Sequence, residues 1–510
     1  MIMQHPGLPD AWALLVLLAM GVITLWGLAR SPAQTARAPK TPGPMQELFS
    51  ILTRIGTASP WPQLIARAMV AALFLLVIAA GLYGTPVPER NLATTLTWSL
   101  WWAGLIVSIF FLGSAWCGIC PWDSLAQWLV RRRLWRRGRA DRSLNLRFPA
   151  ALQSVWPALA LFVGLTWLEL GVGITRSPYA TAGVALLMVV LATGSLALFE
   201  RKAFCRYLCP VGRTVGFYSQ LAPVALRPAR AEVCAECQTL ECYHGTSEVE
   251  PCPTRLVMGR LTENTYCTSC GSCVRSCPHH NVRWTARLPG AEAWQQARPH
   301  GDEGWFMLVL LALTTFHGLT MMPFWEVWMA QLARLLGDSG QLLRSFSLGM
   351  LGTIGITVVL FASAVWGSAR LLRGSLPYAR LFPRLAFTAL PLAFAYHLAH
   401  NLNHLVREGA GLGAVWLNPF GRDTLPPGME ELHLRHMNPL LSESWLAALQ
   451  AGLMVFGFFL AVQVLRHRAP ELYRATAVLP GWRAAPMLAF AAGVSGFDLW
   501  LLMQPMTMRL

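Results

Sequence analysis

The sequence predicts a mainly α fold: a polytopic membrane helix bundle of about ten spans with an inserted, cysteine-rich cytoplasmic domain. Three observations predict it. Of 510 residues, 55% are hydrophobic and only 13% are charged, whereas soluble proteins carry about 25% charged residues. Uncharged windows recur along the whole chain, and all twelve cysteines fall between residues 117 and 277. A soluble domain could not bury this much apolar surface, so we expect a membrane protein.

The uncharged windows predict the membrane spans, since about 20 apolar residues cross the hydrocarbon layer. The ten windows lie near residues 10–29, 68–86, 94–115, 149–172, 178–199, 304–323, 346–368, 385–406, 444–465 and 484–503. The stretch 324–344 predicts an interfacial amphipathic segment. No Lys or Arg precedes the first window, so that span is expected to stay as an anchor and not to be a cleaved signal peptide.

The basic residues predict the orientation of the spans. Nearly all of them are Arg, and a basic loop follows every odd-numbered span; the loops over 30–67 and 131–147 are the first two. Basic loops stay in the cytoplasm. In a bacterial inner membrane, both termini are therefore expected on the outer side, and segment 200–303 is expected in the cytoplasm. The net charge of +16 is then explained by loops that face anionic membrane lipid, and nucleic acid is not an expected partner.

The most specific motif is CTSCGSCVRSCP, at residues 267–278. Its C-x2-C-x2-C-x3-C-P spacing matches the run that wraps a 4Fe–4S cluster: three close thiolates hold one cube, and the fourth, followed by Pro, reaches a neighbouring cube. Zinc prefers two separated C-x2-C pairs around one ion. Clustered cysteines in the reducing cytoplasm indicate metal and not disulfides, so the motif predicts iron–sulfur ligation.

A looser motif upstream completes a ferredoxin-like pair. It reads C-x2-C-x4-C-x9-C-P, as if an insertion had separated its third and fourth cysteines; a zinc site is the alternative for this half. If the two motifs exchange their last ligands, two 4Fe–4S clusters result. The predicted ligand sets are Cys234, Cys237, Cys242 and Cys277 for one cluster, and Cys252, Cys267, Cys270 and Cys273 for the other.

Four cysteines remain, in two pairs at the predicted cytoplasmic membrane edge. They are Cys117 and Cys120 after the third span, and Cys205 and Cys209 after the fifth. Neither pair could hold a cube alone, but together they would supply four thiolates for a third 4Fe–4S cluster; packing or regulatory thiols are the alternative. Basic residues around the second pair would offset the charge of a cluster: Arg201, Lys202, Arg206 and Arg213.

These cysteine motifs carry a family resemblance. The sequences CGICP and CRYLCP, followed by the double motif, resemble the membrane polyferredoxins associated with periplasmic nitrate reductase, nitrous oxide reductase and cytochrome oxidase assembly, over roughly residues 95–285. The resemblance implies electron transfer between cytoplasmic clusters, the quinone pool and extracytoplasmic redox partners, or help in maturing copper or haem oxidases. The chain departs from the family pattern in its C-x2-C-P first pair, its stretched upstream motif and its five spans after residue 303.

A second group of candidate residues lies in the C-terminal half. His397, His400 and His404 fall within about 60° of one another on one helical face, and His317 lies in the sixth span. Such side chains are costly in a membrane unless they have partners, so a function is expected. Haem b, copper or another metal, and a quinone or structural site all fit these imidazoles. The acids Glu169 and Asp498 could accept a quinol proton or pair with Arg.

Together these predictions divide the chain into four parts. They are N-terminal spans over 1–93, a membrane core with the paired Cys-Pro motifs over 94–215, a ferredoxin-like domain over 216–303, and a C-terminal membrane domain with the histidines over 304–510. The predicted function is electron transfer between the clusters, quinone or a haem or metal site near the outer face, and an extracytoplasmic redox protein. An oxidoreductase subunit of the quinol dehydrogenase type fits the same residues. The alternative is an assembly factor that reduces or delivers copper for a cuproenzyme.

Overall fold

A computed structural model describes residues 4–30, 51, 60–132, 143–338, 343–373, 376–409, 412–428, 430–431, 439–473 and 479–507. The first helices are α1 (Asp10–Ala29), α2 (Trp61–Tyr83), α3 (Leu92–Leu112), α4 (Pro121–Arg131), α5 (Trp156–Val172), α6 (Pro178–Leu198) and α7 (Pro210–Tyr218). Three short helices follow: α8 (Ala231–Glu236), α9 (Glu241–His244) and α10 (Ser272–Ser276). The last are α11 (Gly301–Leu319), α12 (Pro323–Leu336), α13 (Leu343–Leu371), α14 (Tyr378–Arg407), α15 (Leu412–Leu417), α16 (Glu443–Arg468) and α17 (Trp482–Met503).

The strands of the described residues form two small antiparallel pairs. One pair joins β1 (Gln4–His5) to β4 (Met506–Thr507), and the other joins β2 (Val224–Pro228) to β3 (Val282–Ala286). Short 3-10 turns lie at Pro88–Arg90, Ala115–Gly118, Ala150–Leu152, Ile174–Arg176, Met258–Arg260 and Pro470–Tyr473. The first strand pair holds the two described ends of the chain side by side.

Eight of the ten predicted spans are confirmed as single helices long and apolar enough to cross a membrane: α1, α2, α3, α6, α13, α14, α16 and α17. The fourth is a shorter apolar helix, α5, and the sixth is a bent pair, because α12 turns by 99° from α11. The predicted interfacial segment 324–344 corresponds to α12, which ends earlier, at Leu336 before the left-handed Gly337. Such a sharp turn is expected of an amphipathic interfacial segment, because it forms a helix that lies in the plane of the membrane surface.

Helix α14 is the central helix of the bundle. Of its most apolar window, 89% is buried, and it packs against α3, α11, α16 and α17. Polar side chains in a membrane helix face the bundle interior, since lipid cannot bond them. The histidines of α14 therefore explain its position. At Gly457 a methyl group would lie 2.2 Å from the Ala395 side chain, so glycine allows α16 to approach α14 closely.

The cysteines and the histidine-bearing half of α14 lie at opposite ends of the bundle. Arg407, near the end of α14, pairs with Glu443 at the start of α16, with 3.4 Å between the charged atoms. At the other end of α16, the Arg468 guanidinium donates to the carbonyl oxygen of Ala293. Ala293 follows β3 and the cysteine-rich segment. A helix of 26 residues separates its ends by about 39 Å.

Several residues behind the orientation prediction lie outside the described residues. Arg37, Lys40 and Arg54 belong to the first basic loop, and most Arg of the second basic loop lie between 133 and 142. The sidedness of the two bundle ends stays a prediction.

Candidate metal centres and an adjoining cavity

The two membrane-edge cysteine pairs lie around one cavity. Cys117, Cys120, Cys205 and Cys209 all line it. Each pair ends in Cys-Pro because proline is favoured in the first turn of a helix: Cys120 precedes α4 and Cys209 precedes α7. A helix N-terminus stabilises a thiolate, and the Cys209 Sγ accepts a hydrogen bond of 3.2 Å from the Gly212 N–H. The sequence pairs are thus brought together as one four-thiol group.

Burial governs the ionisation of these thiols. It is the main cause that raises the pKa of Cys120, Cys205 and Cys209 to about 12, and the pKa of Cys117 also rises, further increased by the charges of the other three. Buried thiols stay protonated unless a metal displaces the proton. Four converging thiols with nearby guanidinium groups fit the donor set of a 4Fe–4S cluster.

The first cysteine set of the ferredoxin-like segment is joined by Asn281. Its side-chain amide donates to the Cys234 Sγ, and its backbone N–H donates to the Cys277 Sγ, both over 3.4 Å. Cys242 packs in the same apolar cluster as Cys277. Burial, then the charges of Cys277 and Cys237, raise the pKa of Cys234. The last cysteine of the downstream motif therefore lies beside the upstream cysteines, as the exchange of ligands requires.

The second set contains Cys252, Cys267, Cys270 and Cys273. After burial, the charges of Cys270, Cys267 and Cys252 are the next causes that raise the pKa of Cys273. The Cys270 thiol behaves differently: its burial would raise the pKa, but the ammonium of Lys202, bonds from Ser272 and the guanidinium of Arg67 lower it. The four thiols thus lie within electrostatic reach of one another, with cations beside Cys270.

The membrane-edge group and the second set adjoin. Cys267 lines the same cavity as the membrane-edge thiols. The Gln63 side-chain amide donates both to the Gly118 carbonyl oxygen, over 3.0 Å, and to the Cys270 carbonyl oxygen, over 3.2 Å. Ser114 and Ser269 are joined by a hydrogen bond of 2.7 Å between their hydroxyls. The three thiol groups consequently form a series from the segment's surface to the membrane edge.

Single-ion sites do not fit these thiols. Over the described part of the chain, no group of three or more His, Cys, Asp or Glu side chains is placed to hold one metal ion. A tetrahedral zinc ion would need its four sulfurs close together, about 2.3 Å from the metal. Among the described residues, the thiols are therefore not arranged as a single-ion zinc site.

The four predicted basic residues bind carbonyl oxygens or acids beside these cysteines. Arg213 is 1% exposed and donates to the Cys205 carbonyl over 2.9 Å, while Arg201 donates to the Cys252 carbonyl over 2.7 Å. Arg206 bonds the Thr254 carbonyl. Lys202 pairs with Asp123 over 2.6 Å, and Arg67 lies 4.0 Å from the same carboxylate. Fixed cations of this kind raise the potential of an anionic cluster.

A large apolar cavity of about 430 Å³ extends into the membrane part of the bundle. It shares Trp116, Trp122 and Val211 with the thiol-lined cavity. Its polar groups include Glu169, Thr166, Thr181, Thr314, His317 and His397. Two π-helical turns, Thr95–Trp101 and Leu168–Val172, supply several of its walls, and such turns are common at functional sites.

Aromatic rings connect the thiol end of this cavity to His397. The ring centroids of Trp116 and Trp122 lie 5.8 and 6.1 Å from that of Trp101. Trp101 lies 5.9 Å from Trp102, which lies 5.8 Å from the His397 ring. Spacing along the chain gave no signal for this arrangement of rings.

The four candidate histidines fall into two environments. His397 lines the cavity, with its Nδ1 3.2 Å from the Tyr218 hydroxyl. One turn further on, the Nε2 atoms of His400 and His404 lie 3.3 Å apart, and the His404 Nε2 is 3.2 Å from the Met321 Sδ. His317 touches both groups: it lines the cavity, and its ring lies 5.0 Å from that of His400.

The two candidate acids also lie in different environments. The Glu169 carboxylate lines the cavity and lies 3.9 Å from the His317 Nδ1. Asp498 instead accepts a hydrogen bond of 2.8 Å from the Thr315 hydroxyl and does not line the cavity. Only Glu169 is therefore placed to act on a cavity ligand. Tyr218 and Met321 are the site residues that sequence reasoning missed.

Comparisons with known proteins agree with the cysteine chemistry. Residues 94–140 and 181–223 match the family described as 4Fe-4S binding domain, and these segments contain both membrane-edge pairs. A relative in Escherichia coli (strain K12), named "Putative electron transport protein YccM", is 31% identical over 149 residues, which are 29% of this chain and 38% of that relative. No solved structure is significantly similar. The chain thus resembles membrane-type 4Fe–4S electron-transport proteins and contains a 4Fe–4S binding domain.

Proposed function

We propose that this electron-transport protein exchanges electrons between a membrane quinone in the 430 Å³ cavity and 4Fe–4S clusters held by its twelve cysteines. One observation carries the proposal: the cavity shares the walls Trp116, Trp122 and Val211 with the four-thiol cavity. A quinone in the larger cavity would therefore lie next to the membrane-edge cluster. When bound, each such cluster would accept and donate one electron at a time.

The cavity's chemistry favours a quinone. Oxidation of a quinol releases two electrons and two protons, and a carboxylate can accept a proton at the headgroup. Glu169, oriented beside His317, supplies that carboxylate, while the hydroxyl of Thr314 and the ring of His397 offer polar partners. The aliphatic and aromatic side chains of α2, α3 and α6 suit an isoprenoid tail.

Haem b fits the same cavity less well. Its two propionates are ionised and need cationic or strongly polar partners when buried. The lining residues include the acid Glu169 but no Lys or Arg among the described residues. A neutral headgroup with an apolar tail satisfies this lining better.

In this proposal the ferredoxin-like segment is cytoplasmic, and the histidine end of the bundle meets an extracytoplasmic redox protein. The opposite positions of the two ends along α16 support this arrangement. The chain would then act as a subunit of an oxidoreductase of the quinol dehydrogenase type.

The experiment uses protein purified anaerobically in detergent, with iron and sulfide measured and cluster reduction followed by EPR. Addition of a soluble quinol should reduce the clusters. Glu169→Gln should slow that reduction by about 100-fold, since a general base contributes that much, while dithionite still reduces the full cluster content. Asp498→Asn is the matched control, a buried acid outside the cavity, and should react at the wild-type rate. Equal slowing in both variants, or no slowing in Glu169→Gln, would refute the quinone proposal.

A further inference from the structure

We propose that His400, His404 and Met321 form a binding site for Cu(I), separate from the quinone cavity and beyond the electron-transfer function. The two imidazoles come from consecutive turns of α14, and the thioether comes from the break between α11 and α12. All three side chains are at most 8% exposed. Two separate elements thus aim soft or borderline donors at one point inside the bundle.

The distances are those of ligands around a single ion. Two nitrogens that each bind a tetrahedral ion at about 2.0–2.1 Å lie about 3.3–3.4 Å apart. The Nε2 atoms of His400 and His404 are separated by 3.3 Å, and the Met321 Sδ lies 3.2 Å from the His404 Nε2. A small shift of the thioether would complete a three-ligand site.

Hydrogen bonding explains this arrangement less well than a shared cation. The His404 Nε2 carries at most one hydrogen, so it cannot point that hydrogen at both His400 and Met321. The thioether sulfur is only a weak acceptor. A cation between the three atoms uses the lone pair of every one of them.

The donor types and the charge select copper in its monovalent state. Thioether sulfur is a soft ligand that suits Cu(I), and imidazole suits copper as well. A monovalent ion also costs less to bury in a membrane bundle than a divalent one. The Glu169 carboxylate could offset the charge of the ion from beyond the ligands, because it lies 3.9 Å from the Nδ1 of His317, whose ring packs on His400.

The geometry also excludes a haem between His400 and His404. Axial haem ligands lie on opposite faces of a flat macrocycle, and two nitrogens 3.3 Å apart on one helix face leave no room for it. His397 takes no part, since its Nδ1 is bonded to Tyr218 at the cavity.

The test titrates Cu(I) anaerobically into the full-length protein with its clusters intact, against a competing chelator, and records copper K-edge absorption. Wild type should bind one Cu(I) with nitrogen and sulfur ligands. Met321→Leu should weaken this binding by about 10-fold or more and remove the sulfur shell. His400→Gln should lose nitrogen ligands.

The matched control is Met322→Leu, the adjacent methionine, which is equally buried. It should keep wild-type affinity and ligand shells, as should His397→Gln. Iron, sulfide and cluster EPR from the same samples report on the electron-transfer proposal independently. Equal affinities in Met321→Leu and Met322→Leu, copper bound by sulfur alone, or preferred binding of Zn(II) would each overturn the copper site.

Discussion

At the residue scale, Cys205 lies in the most informative of the thiol groups. It is half-buried and lines one cavity with Cys117, Cys120 and Cys209, so we expect all four to hold one cube. Cys205→Ser should lower the iron content by about four atoms per chain and remove one EPR component. Cys237→Ser, in the ferredoxin-like segment, should remove a different component. Unchanged iron in purified Cys205→Ser would contradict a third cluster and favour packing thiols.

Lys202 is the residue that should tune the clusters electrostatically. Its ammonium lies 2.6 Å from Asp123, lines the thiol cavity and lowers the pKa of Cys270. A nearby positive charge stabilises the reduced, more negative form of a cluster. Lys202→Gln should therefore lower at least one midpoint potential, by about 60 mV if the charge is worth about 1.4 kcal/mol.

A potentiometric EPR titration measures this shift. Lys202→Arg keeps the charge and should retain a potential close to wild type. Lys202→Gln also leaves the Asp123 carboxylate with the more distant Arg67 guanidinium, at 4.0 Å, so thermal stability should be recorded alongside. A potential that rises in Lys202→Gln would contradict the assigned role.

Individual residues were predictable where spacing along the chain encodes the chemistry. The spacing of the cysteines from Cys267 to Cys277 is that of a cluster-ligand motif, and the motifs CGICP and CRYLCP identify the two membrane-edge pairs. Met321 could not be found this way. It lies 83 residues before His404 and approaches it at the break where α12 turns away from α11, and spacing along the chain does not encode that contact.

At the element scale, the close approach of α7 to the second cysteine set should control the membrane-edge site. A methyl group at Gly216 would lie 2.0 Å from the backbone oxygen of Thr265, two residues before Cys267. Gly216→Ala should therefore separate the elements and destabilise the protein by about 1–3 kcal/mol, as overpacking does.

The measurement is the unfolding midpoint in detergent, together with the EPR of the membrane-edge cluster. Gly194→Ala is the control, because Gly194 also lies in a helix but has nothing within 4 Å of an added methyl group. It should be neutral or slightly stabilising. A Gly216→Ala protein as stable as Gly194→Ala would show that the two elements do not depend on this contact.

Most helices were predictable, because apolar length alone identifies a span. The exceptions have physical causes. The sixth window passed the same test, but Pro323 begins a new helix after Met322, and proline cannot continue the previous hydrogen-bond ladder. The length of an uncharged window also does not predict that α5 is short and ends in a π-helical turn that contains Glu169.

At the scale of the whole molecule, the separation of cysteines from the His400–His404 pair is the feature that the sequence predicted through Arg asymmetry. In the structure, one end of α16 bonds Ala293, which follows the cysteine-rich segment, and the other end pairs with Arg407 of α14. The cavity between them was not predictable, since its walls come from α2, α3, α5, α6, α11 and α14. The four-part domain division stays a prediction.

The sidedness of this arrangement gives the last prediction. If the basic loops remain in the cytoplasm, an epitope inserted at Ser247–Glu248, exposed in the cysteine-rich segment, should face inward. One inserted at Asp423, exposed between α15 and α16, should face outward. In spheroplasts of cells making the full chain, an antibody should label the Asp423 insertion directly and the Ser247–Glu248 insertion only after permeabilisation. Iron content of each tagged protein controls for folding. The reverse labelling pattern would place the clusters outside the cell membrane and refute the cytoplasmic position proposed for the ferredoxin-like segment.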